Sequence, residues 1–261
     1  MNITLSLDEE CINYYNGNNT PRSYFGSLSL ADAFNDRNHK LRIVHPTDVY
    51  KKNNLICSNR IFSYDKILGF NEIKRNSYLS GDVFFIYGLG EDKENLKKSK
   101  KFIDYLNLLE NQYFKILNNA ESTSYEFKPN QKKLNFPWIP HFKVKSKNDL
   151  EELILEGEKI IAKPSIGCAS RGIIYLSNKE DIERIDNIND YLYERFIHAE
   201  EERRYIFLNN ELIIKRKMRK SGSPGNEIVV DVNLFEGDNA EINIAREVMK
   251  KIGMFYGAVD F

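Results

Sequence analysis

The first half of the chain alternates between short apolar runs and amphipathic segments. Apolar or alternating runs predict strands over residues 2–7, 40–46, 55–64, 82–90 and 114–119. Between these strands, the pattern predicts helices over residues 29–37 and 94–112, and the apolar side chains of the second helix fall close to one face. Strands that alternate with helices are typical of βαβ units, so we predict a Rossmann-like parallel sheet over residues 1–120.

The pattern changes beyond residue 120. Pro137 and Pro140 break the periodicity and indicate a linker. Further strands are then predicted over residues 159–165, 173–176, 191–197, 203–209 and 211–218. Asn209 and Asn210 separate the last two strands, and this dipeptide predicts a tight hairpin between them.

The helices of the second half carry capping signals. Ser177 and Glu180 have the spacing of a capping box, which predicts that a helix begins there. A final helix over about residues 239–252 has its apolar side chains on one face and is followed by Gly253, a typical C-terminal cap. Mostly antiparallel strands with a few helices predict an α+β domain over residues 121–261.

Composition and charge then limit the classes of function. The chain has 38 basic and 38 acidic residues, so no net charge attracts nucleic acid or an anionic membrane. The sequence has no apolar run of the roughly 18 residues that a membrane span needs, and the N-terminus lacks the pattern of a signal peptide. The three cysteines lie far apart in the sequence and do not have the spacing of metal ligands: Cys11, Cys57 and Cys168. This pattern is typical of free thiols in a reducing compartment. We therefore expect a cytoplasmic protein that binds neither nucleic acid nor membrane.

The stretch KIIAKPSIGCASRGIIYL, residues 159–176, carries candidate chemistry. Lys163 ends one predicted strand, and Gly167 and Gly172 lie in the loop before the next strand. Glycines let backbone N–H groups approach a ligand closely, and such loops cradle phosphates, to which a lysine adds positive charge. A plain hairpin with a surface lysine has the same pattern, so this stretch alone leaves both interpretations open.

Four motifs in order resemble the ATP-grasp superfamily, and specifically the branch that includes glutathione synthetase and the ribosomal-protein glutamate ligases. They are IAKPSIGCASRG, YLYERFIHAEEE, RRYIFLNNELI and IGMFYGAVDF. The resemblance covers essentially the whole chain, because DVFFIYGLG and KILNNAEST resemble that branch's N-terminal domain. It implies an N-terminal domain over residues 1–120 and an ATP-grasp domain over 121–261, with a lid subdomain at about 145–200 and a C-terminal subdomain at about 200–261.

The resemblance also implies an activity, in which ATP phosphorylates a carboxylate and an amine attacks the acyl phosphate to form an amide. It implies ATP and Mg²⁺ as cofactors and a small-molecule or peptide acid and amine as substrates, and homo-oligomers are common in this branch. The other metal ligands of the family, a Glu and an Asn two residues apart, lie on a strand that this sequence lacks, so we expect a C-terminally incomplete ATP-grasp domain. A nucleotide-binding pseudoenzyme or a split ligase is the alternative to an active ligase.

The resemblance assigns ATP-binding roles residue by residue. Phosphate contacts are implied for Lys163 and for the loop that contains Gly167, Ser170 and Gly172. Adenine contacts come from the backbone of the segment that contains Glu194, Phe196 and Ile197. A ribose contact is implied for Glu201, with Glu200 as the alternative. A second lysine comes from the linker, where Lys128 is favoured over Lys132 and Lys133.

Catalytic and metal-binding roles follow from the last two motifs. Arg204 matches an arginine that holds phosphate or an acyl-phosphate oxygen, a task suited to a bidentate guanidinium, and its neighbour Arg203 is expected to face solvent. Arg216 or Arg219 is a candidate for binding a substrate carboxylate, although an exposed charged hairpin explains these residues equally well. Asp260 matches the first Mg²⁺-binding carboxylate, since Mg²⁺ prefers oxygen ligands.

Overall fold

The structure is a computed structural model that describes residues 1–7, 25–65, 69–87, 96–136, 138–166, 172–220, 227–232 and 235–261. The chain forms two compact units. The first contains Met1–Ser124 and Ile252–Tyr256, and the second contains Tyr125–Lys251 and Gly257–Phe261. Gly167, Ser170 and Cys168 lie outside the described residues, and Arg219 is described only in its backbone.

The first unit is built on a sheet that has seven strands among the described residues. They are β1 (Asn2–Ser6), β2 (Lys40–Val44), β3 (Val49–Lys52), β4 (Leu55–Asp65), β5 (Gly69–Tyr78), β6 (Gly81–Ile86) and β7 (Tyr113–Leu117). The strand order is β3-β4-β2-β1-β6-β7, with β5 paired to β4. Pairs β1–β2, β1–β6 and β6–β7 are parallel, as expected for βαβ units.

The remaining strands of this sheet are antiparallel, so the expectation of a parallel sheet is wrong for them. Asn53 and Asn54 adopt positive φ values of 50° and 62°, which suits a tight turn that folds β4 back on β3. Strand β5 was not predicted. Its sequence GFNEIKRNSY is largely polar and exposed, and it therefore lacks the apolar alternation by which a strand is recognised.

Apolar side chains cover both faces of this sheet. On one face, Ala31 of α1 (Phe25–Asp36) joins a buried cluster with Leu5 and Ile43. On the other, Phe102 and Leu106 of α2 (Leu96–Leu109) pack with a cluster that includes Phe84. The short helix α3 (Ala120–Ser124) follows β7. Strands covered by helices on both faces read as apolar runs, which explains why β6 was predictable, whereas β1 was predicted from its alternation of apolar and polar residues.

Gly81 begins β6 at a close approach of three chain segments. A Cβ atom at this position would lie 3.0 Å from the Asn2 carbonyl oxygen and 3.0 Å from the Tyr113 ring. We expect Gly81→Ala to lower the free energy of unfolding by about 1–3 kcal/mol, because neither the backbone of β1 nor a buried tyrosine can move away cheaply. Urea unfolding measures the change. The exposed helical change Lys101→Ala is the control, and equal stability of both variants would contradict the prediction.

The second unit contains two sheets, each with four described strands. Its elements are α4 (Lys128–Gln131), β8 (His141–Phe142), α5 (Lys147–Leu155), β9 (Ile160–Pro164), β10 (Ile174–Leu176), α6 (Lys179–Glu183), β11 (Tyr191–Arg195), β12 (Glu201–Leu208), β13 (Glu211–Lys220), β14 (Glu227–Val232) and α7 (Asn239–Ile252). Strand β15 (Tyr256–Asp260) ends the described fold. The sheet orders are β10-β9-β11-β8 and β14-β13-β12-β15.

The predicted hairpin turn and C-terminal cap of residues 121–261 are confirmed, and one predicted N-cap is corrected. Asn209 and Asn210 form the hairpin turn with φ values of 50° and 65°, and Gly253 follows α7 with φ 65°. The predicted capping box at Ser177 is wrong by one residue. Asn178 is the N-cap of α6, since its side chain accepts a hydrogen bond from the Asp181 backbone N–H.

Across the described parts of both units, no helix is both long and apolar enough to cross a bilayer.

Candidate functional site

A buried carboxylate lies in the sheet formed by β8 to β11. Glu194 on β11 is only 4% exposed, although it is charged. The Lys163 Nζ on β9 lies 2.6 Å from its Oε2, and Lys132 forms an ion pair with its Oε1. Leu192 is directly opposite Lys163 in the strand register, so Glu194 and Lys163 are diagonal neighbours on the same face. We call Lys132, Lys163 and Glu194 the lysine–glutamate cluster.

The electrostatics of the cluster keep Glu194 ionised. Burial alone would raise the pKa of this carboxyl, but the positive charge of Lys163 and hydrogen bonds from both lysines outweigh it. The pKa of Glu194 therefore lies below its ordinary value of 4.5. A single negative charge thus holds two ammonium groups in one place, and the cluster carries a net positive charge.

The three linker lysines occupy different environments. The Lys132 side chain is 8% exposed, its Nζ also donates to the Ile139 carbonyl at 3.1 Å, and it lies 5.6 Å above the Trp138 ring. The Lys128 Nζ instead donates to the Pro164 carbonyl at 3.0 Å. The Lys133 Nζ donates to a neighbouring asparagine on the exposed side. Lys132 is therefore the linker lysine that the structure places with Lys163, and the sequence spacing did not single it out.

The end of β9 leads into the glycine-containing loop. Ser165 is 1% exposed, and its buried hydroxyl has no hydrogen-bond partner among the described residues. Its backbone carbonyl accepts from the Lys128 N–H at 2.8 Å. Gly172, where the described chain resumes, has φ 69°, a conformation that favours glycine. Ser165 was not among the predicted site residues, because an orphaned hydroxyl has no sequence signal.

The segment after Glu194 is anchored by its backbone. The Arg195 N–H donates to the Pro140 carbonyl at 2.9 Å, and the Phe196 N–H donates to the Lys159 carbonyl at 2.7 Å. The Phe196 ring packs edge-on against Tyr175 at 5.0 Å between centroids. Ile197 follows with a side chain that is 51% exposed. Among the described residues, its N–H has no backbone acceptor, as a ligand-binding amide requires.

A second group of charged side chains lies on β12, β13 and β15. Glu201 accepts from Lys217 at 2.8 Å and from Arg203 at 3.3 Å, and the hydrogen bond from Lys217 lowers the pKa of Glu201. Arg203 also pairs with Glu241 of α7 at 3.1 Å. The Arg203 side chain is thus 35% exposed and is also tied to α7 through Glu241, to which the buried Tyr205 on the same face of β12 donates a hydrogen bond.

Arg204 and Asp260 form a bidentate ion pair across β12 and β15. The Arg204 Nε donates to Asp260 Oδ1 at 2.5 Å, and its Nη2 donates to Oδ2 at 2.7 Å. Glu202 lies 3.6 Å from the same guanidinium. Arg216 is directly opposite Arg204 in the β12–β13 register. The structure thus brings the predicted catalytic arginine, a predicted substrate arginine and the predicted metal ligand together.

Comparisons with known proteins address the fold. No protein-family model matches the sequence, and no curated protein matches it. The D-alanine–D-alanine ligase from Coxiella burnetii matches with a TM-score of 0.60 and 12% identity, over 100% of this chain and 81% of that one. The macrocyclase MdnC bound with the precursor peptide MdnA, from Microcystis aeruginosa, matches with a TM-score of 0.55 and 13% identity, over 100% and 86%.

The ATP-grasp ligase PsnB, complexed with a minimal precursor, Mg and ADP, also matches, with a TM-score of 0.53 and 12% identity over 99% of this chain and 83% of that one. This chain has the ATP-grasp fold. Identities this low show the fold alone, so the function has to be argued from the site. The glutathione synthetase and ribosomal-protein glutamate ligase branch, the Rossmann-like character of the first unit and its predicted boundaries stay predictions.

Within the ATP-grasp fold, the described residues fit a nucleotide better than they fit a metal ion. The lysine–glutamate cluster and Lys128 place three ammonium groups around the end of β9, where phosphate oxygens would find donors. By contrast, the described residues contain no group of three His, Cys, Asp or Glu side chains that could hold a metal. Both oxygens of Asp260 are already bonded to Arg204. Among the described residues, Asp260 is therefore paired with an arginine and is not grouped with two further metal-ligating side chains.

Proposed function

We propose that this protein is an ATP-dependent carboxylate–amine ligase that forms an amide bond. The observation that carries the proposal is the lysine–glutamate cluster. In this cluster the buried Glu194 pairs with Lys163 on β9, the strand that precedes the glycine-containing loop in the sequence. The chain also matches ligases of the ATP-grasp fold along nearly its whole length. Cationic groups that converge at a strand end, beside an anchored backbone segment, suit a nucleoside triphosphate.

This arrangement supports the following proposed nucleotide contacts. We assign the phosphates to Lys163, Lys132 and Lys128 and to the loop that contains Gly167, Ser170 and Gly172. We assign the adenine to the backbone of the segment Glu194–Ile197, where the anchored Phe196 would hold the N–H of Ile197 in place. We assign the ribose to Glu201, whose ionised carboxylate can accept from hydroxyl groups.

The reaction needs no nucleophile from the protein. A carboxylate oxygen of the substrate attacks the γ-phosphorus of ATP, and the bond to ADP breaks. An amine then attacks the acyl carbon, phosphate leaves and the amine loses a proton. The protein contributes by positioning the reactants and by placing positive charge where negative charge develops, which is the proposed role of Arg204. Arg216 and Arg219 are proposed to hold a substrate carboxylate.

The substrates of proteins that share the fold support a proposal for the substrate class. MdnC and PsnB are described with precursor peptides, and the Coxiella burnetii protein is a D-alanine–D-alanine ligase. We therefore propose an acid and an amine that are either amino acids or residues of a peptide. A second candidate, a nucleotide-binding protein without ligase turnover, is favoured by one observation: Arg204 occupies both oxygens of Asp260.

Nucleotide binding is the first test of the proposed function. We expect Lys163→Met to weaken ADP binding about tenfold or more, because it removes a charged donor from the proposed phosphate site. Trp138 is the only tryptophan of the sequence and lies beneath Lys132, so its fluorescence reports binding alongside calorimetry. Lys179→Met, a change in an exposed ion pair with Glu151, is the control and should bind normally. Equal affinity of the two variants would argue against this phosphate site.

Turnover separates the two candidate functions. A ligase is expected to release ADP and phosphate from ATP only when an acid and an amine are both present, with the amide product detected by mass spectrometry. Amino acids and dipeptides, tested in pairs, are suitable probes. ADP binding without product from any pair would support the second candidate instead.

A further inference from the structure

The environment of Asp260 differs from that of a metal ligand. Arg203 and Phe261 exchange two backbone hydrogen bonds of 2.9 and 2.8 Å, which makes them a directly opposite antiparallel pair. Arg204 and Asp260 are consequently neighbours on one face of the sheet. The bidentate contact at 2.5 and 2.7 Å uses one donor for each carboxylate oxygen. A carboxylate held in this way has its orientation fixed by the arginine.

The charges around Arg204 explain why such a partner is needed. The β12–β13 register sets Arg216 directly opposite Arg204, and like charges in that relation repel each other. Asp260 lies on the other neighbouring strand and, with Glu202 at 3.6 Å, supplies the opposite charge. The Arg204 guanidinium therefore lies beside two carboxylates, those of Asp260 and Glu202, and opposite Arg216 on the neighbouring strand. A guanidinium has five N–H donors, and the contact with Asp260 uses two of them.

We propose that Asp260 is a positioning residue for Arg204 and that it does not ligate Mg²⁺. Its carboxylate fixes the plane of the guanidinium, so that Arg204 meets a phosphate oxygen of ATP without first losing side-chain freedom. This inference rests on the proposed function, because it requires a nucleotide whose terminal phosphate reaches Arg204. In this role, the effect of Asp260 on ATP binding depends on Arg204 and does not depend on Mg²⁺.

The test is a double-mutant cycle carried out with and without the metal. The affinity of a non-hydrolysable ATP analogue is measured by calorimetry in MgCl₂ and in EDTA for the wild type, Asp260→Asn, Arg204→Gln and the double variant. We expect Asp260→Asn to weaken binding about tenfold in both buffers, since it disrupts a charge-assisted contact that orients a binding group. On the Arg204→Gln background, Asp260→Asn should weaken binding no further.

Three outcomes would overturn the inference. If Asp260→Asn weakens binding in MgCl₂ but not in EDTA, Asp260 is a metal ligand. If it changes affinity in neither buffer, or if its effect persists in full without Arg204, it does not act through the arginine. Arg204→Lys, which keeps the charge but cannot make the bidentate contact, provides an independent variant and should also lose affinity in both buffers.

A matched control and the wild type complete the design. Glu183→Gln removes another exposed carboxylate of the second unit, one that pairs with Lys147 at 3.2 Å, and should leave affinity unchanged in both buffers. Thermal unfolding of each variant checks that it is folded. Absence of any nucleotide binding by the wild type would contradict the proposed function itself. Binding by the wild type with a metal-dependent effect of Asp260→Asn would contradict only the positioning role.

Discussion

Glu194→Gln is expected to lower the free energy of unfolding by about 3 kcal/mol, because it removes the one negative charge that stabilises two buried or half-buried ammonium groups. The Glu194 side chain is 5% exposed and that of Lys132 is 8% exposed. Breaking a buried ion pair by removing one partner leaves the other charge without compensation, which is costlier than losing a surface pair. Glutamine keeps the shape of the side chain, so packing contributes little to the change.

The same carboxylate predicts how stability depends on pH. The pKa of Glu194 lies below its ordinary value of 4.5, and lowering of this kind means that the unfolded chain takes up a proton first as the pH falls. The stabilising contribution of Glu194 is thus fully present above about pH 4.5 and is lost as the pH falls through the lower pKa of the folded state. The difference in stability between the wild type and Glu194→Gln should shrink over that acid range.

Urea unfolding at a series of pH values measures both effects. Glu158→Gln is the matched control, since Glu158, just before β9, makes a bidentate pair with Arg195 of β11 at 3.0 and 2.6 Å, and the Arg195 side chain is 49% exposed. An exposed pair of this kind is worth less than about 1 kcal/mol. If Glu194→Gln lowered the free energy of unfolding as little as Glu158→Gln does, the lysine–glutamate cluster would not depend on its carboxylate for stability.

The lysine–glutamate cluster also shows where sequence reasoning stops. Lys163 and Glu194 were found because each sits at a motif, at the end of a strand and before an anchored segment. Lys132 was not singled out, since Lys128, Lys132 and Lys133 lie close together in the linker and the sequence has no signal that ranks them. Only the tertiary packing decides which of them faces Glu194, and a contact between residues so far apart leaves no local pattern in a single sequence.

The helices and strands also differ in how well the sequence predicts them. Helix α7 was predicted with its observed ends, because an amphipathic repeat followed by Gly253 is a local signal that tertiary contacts rarely override. Strand β5 was missed, because its pairing with β4 depends on backbone hydrogen bonds and not on an apolar face. The ion pair between Arg204 and Asp260 is an intermediate case. The motifs named both residues, but the cross-strand register that joins them belongs to the folded structure.

Asn118→Ala is expected to lower the free energy of unfolding by about 3 kcal/mol, because this side chain binds two distant chain segments. Asn118 is 4% exposed, and its Nδ2 donates to the carbonyls of Ile86 and Tyr256 at 2.9 and 3.0 Å. Its Oδ1 accepts from the N–H groups of Phe255 and Tyr256 at 2.8 and 3.1 Å. Alanine would remove these hydrogen bonds from buried and partly buried backbone groups, each at a cost of about 1 kcal/mol.

Asn118 also has a φ of 56°, so alanine adds backbone strain to the loss of hydrogen bonds. Asn118→Gly separates the two causes, since glycine accepts this conformation but has no amide, and we expect it to recover only a minor part of the loss. Asn119→Ala is the neighbouring control: Asn119 accepts from the Ser122 N–H at the start of α3, a cap worth about 1 kcal/mol. Chemical unfolding ranks the three variants. If Asn118→Gly were as stable as the wild type, strain alone would explain Asn118→Ala, and the side-chain amide would not be what holds Phe255 and Tyr256 at the start of β15.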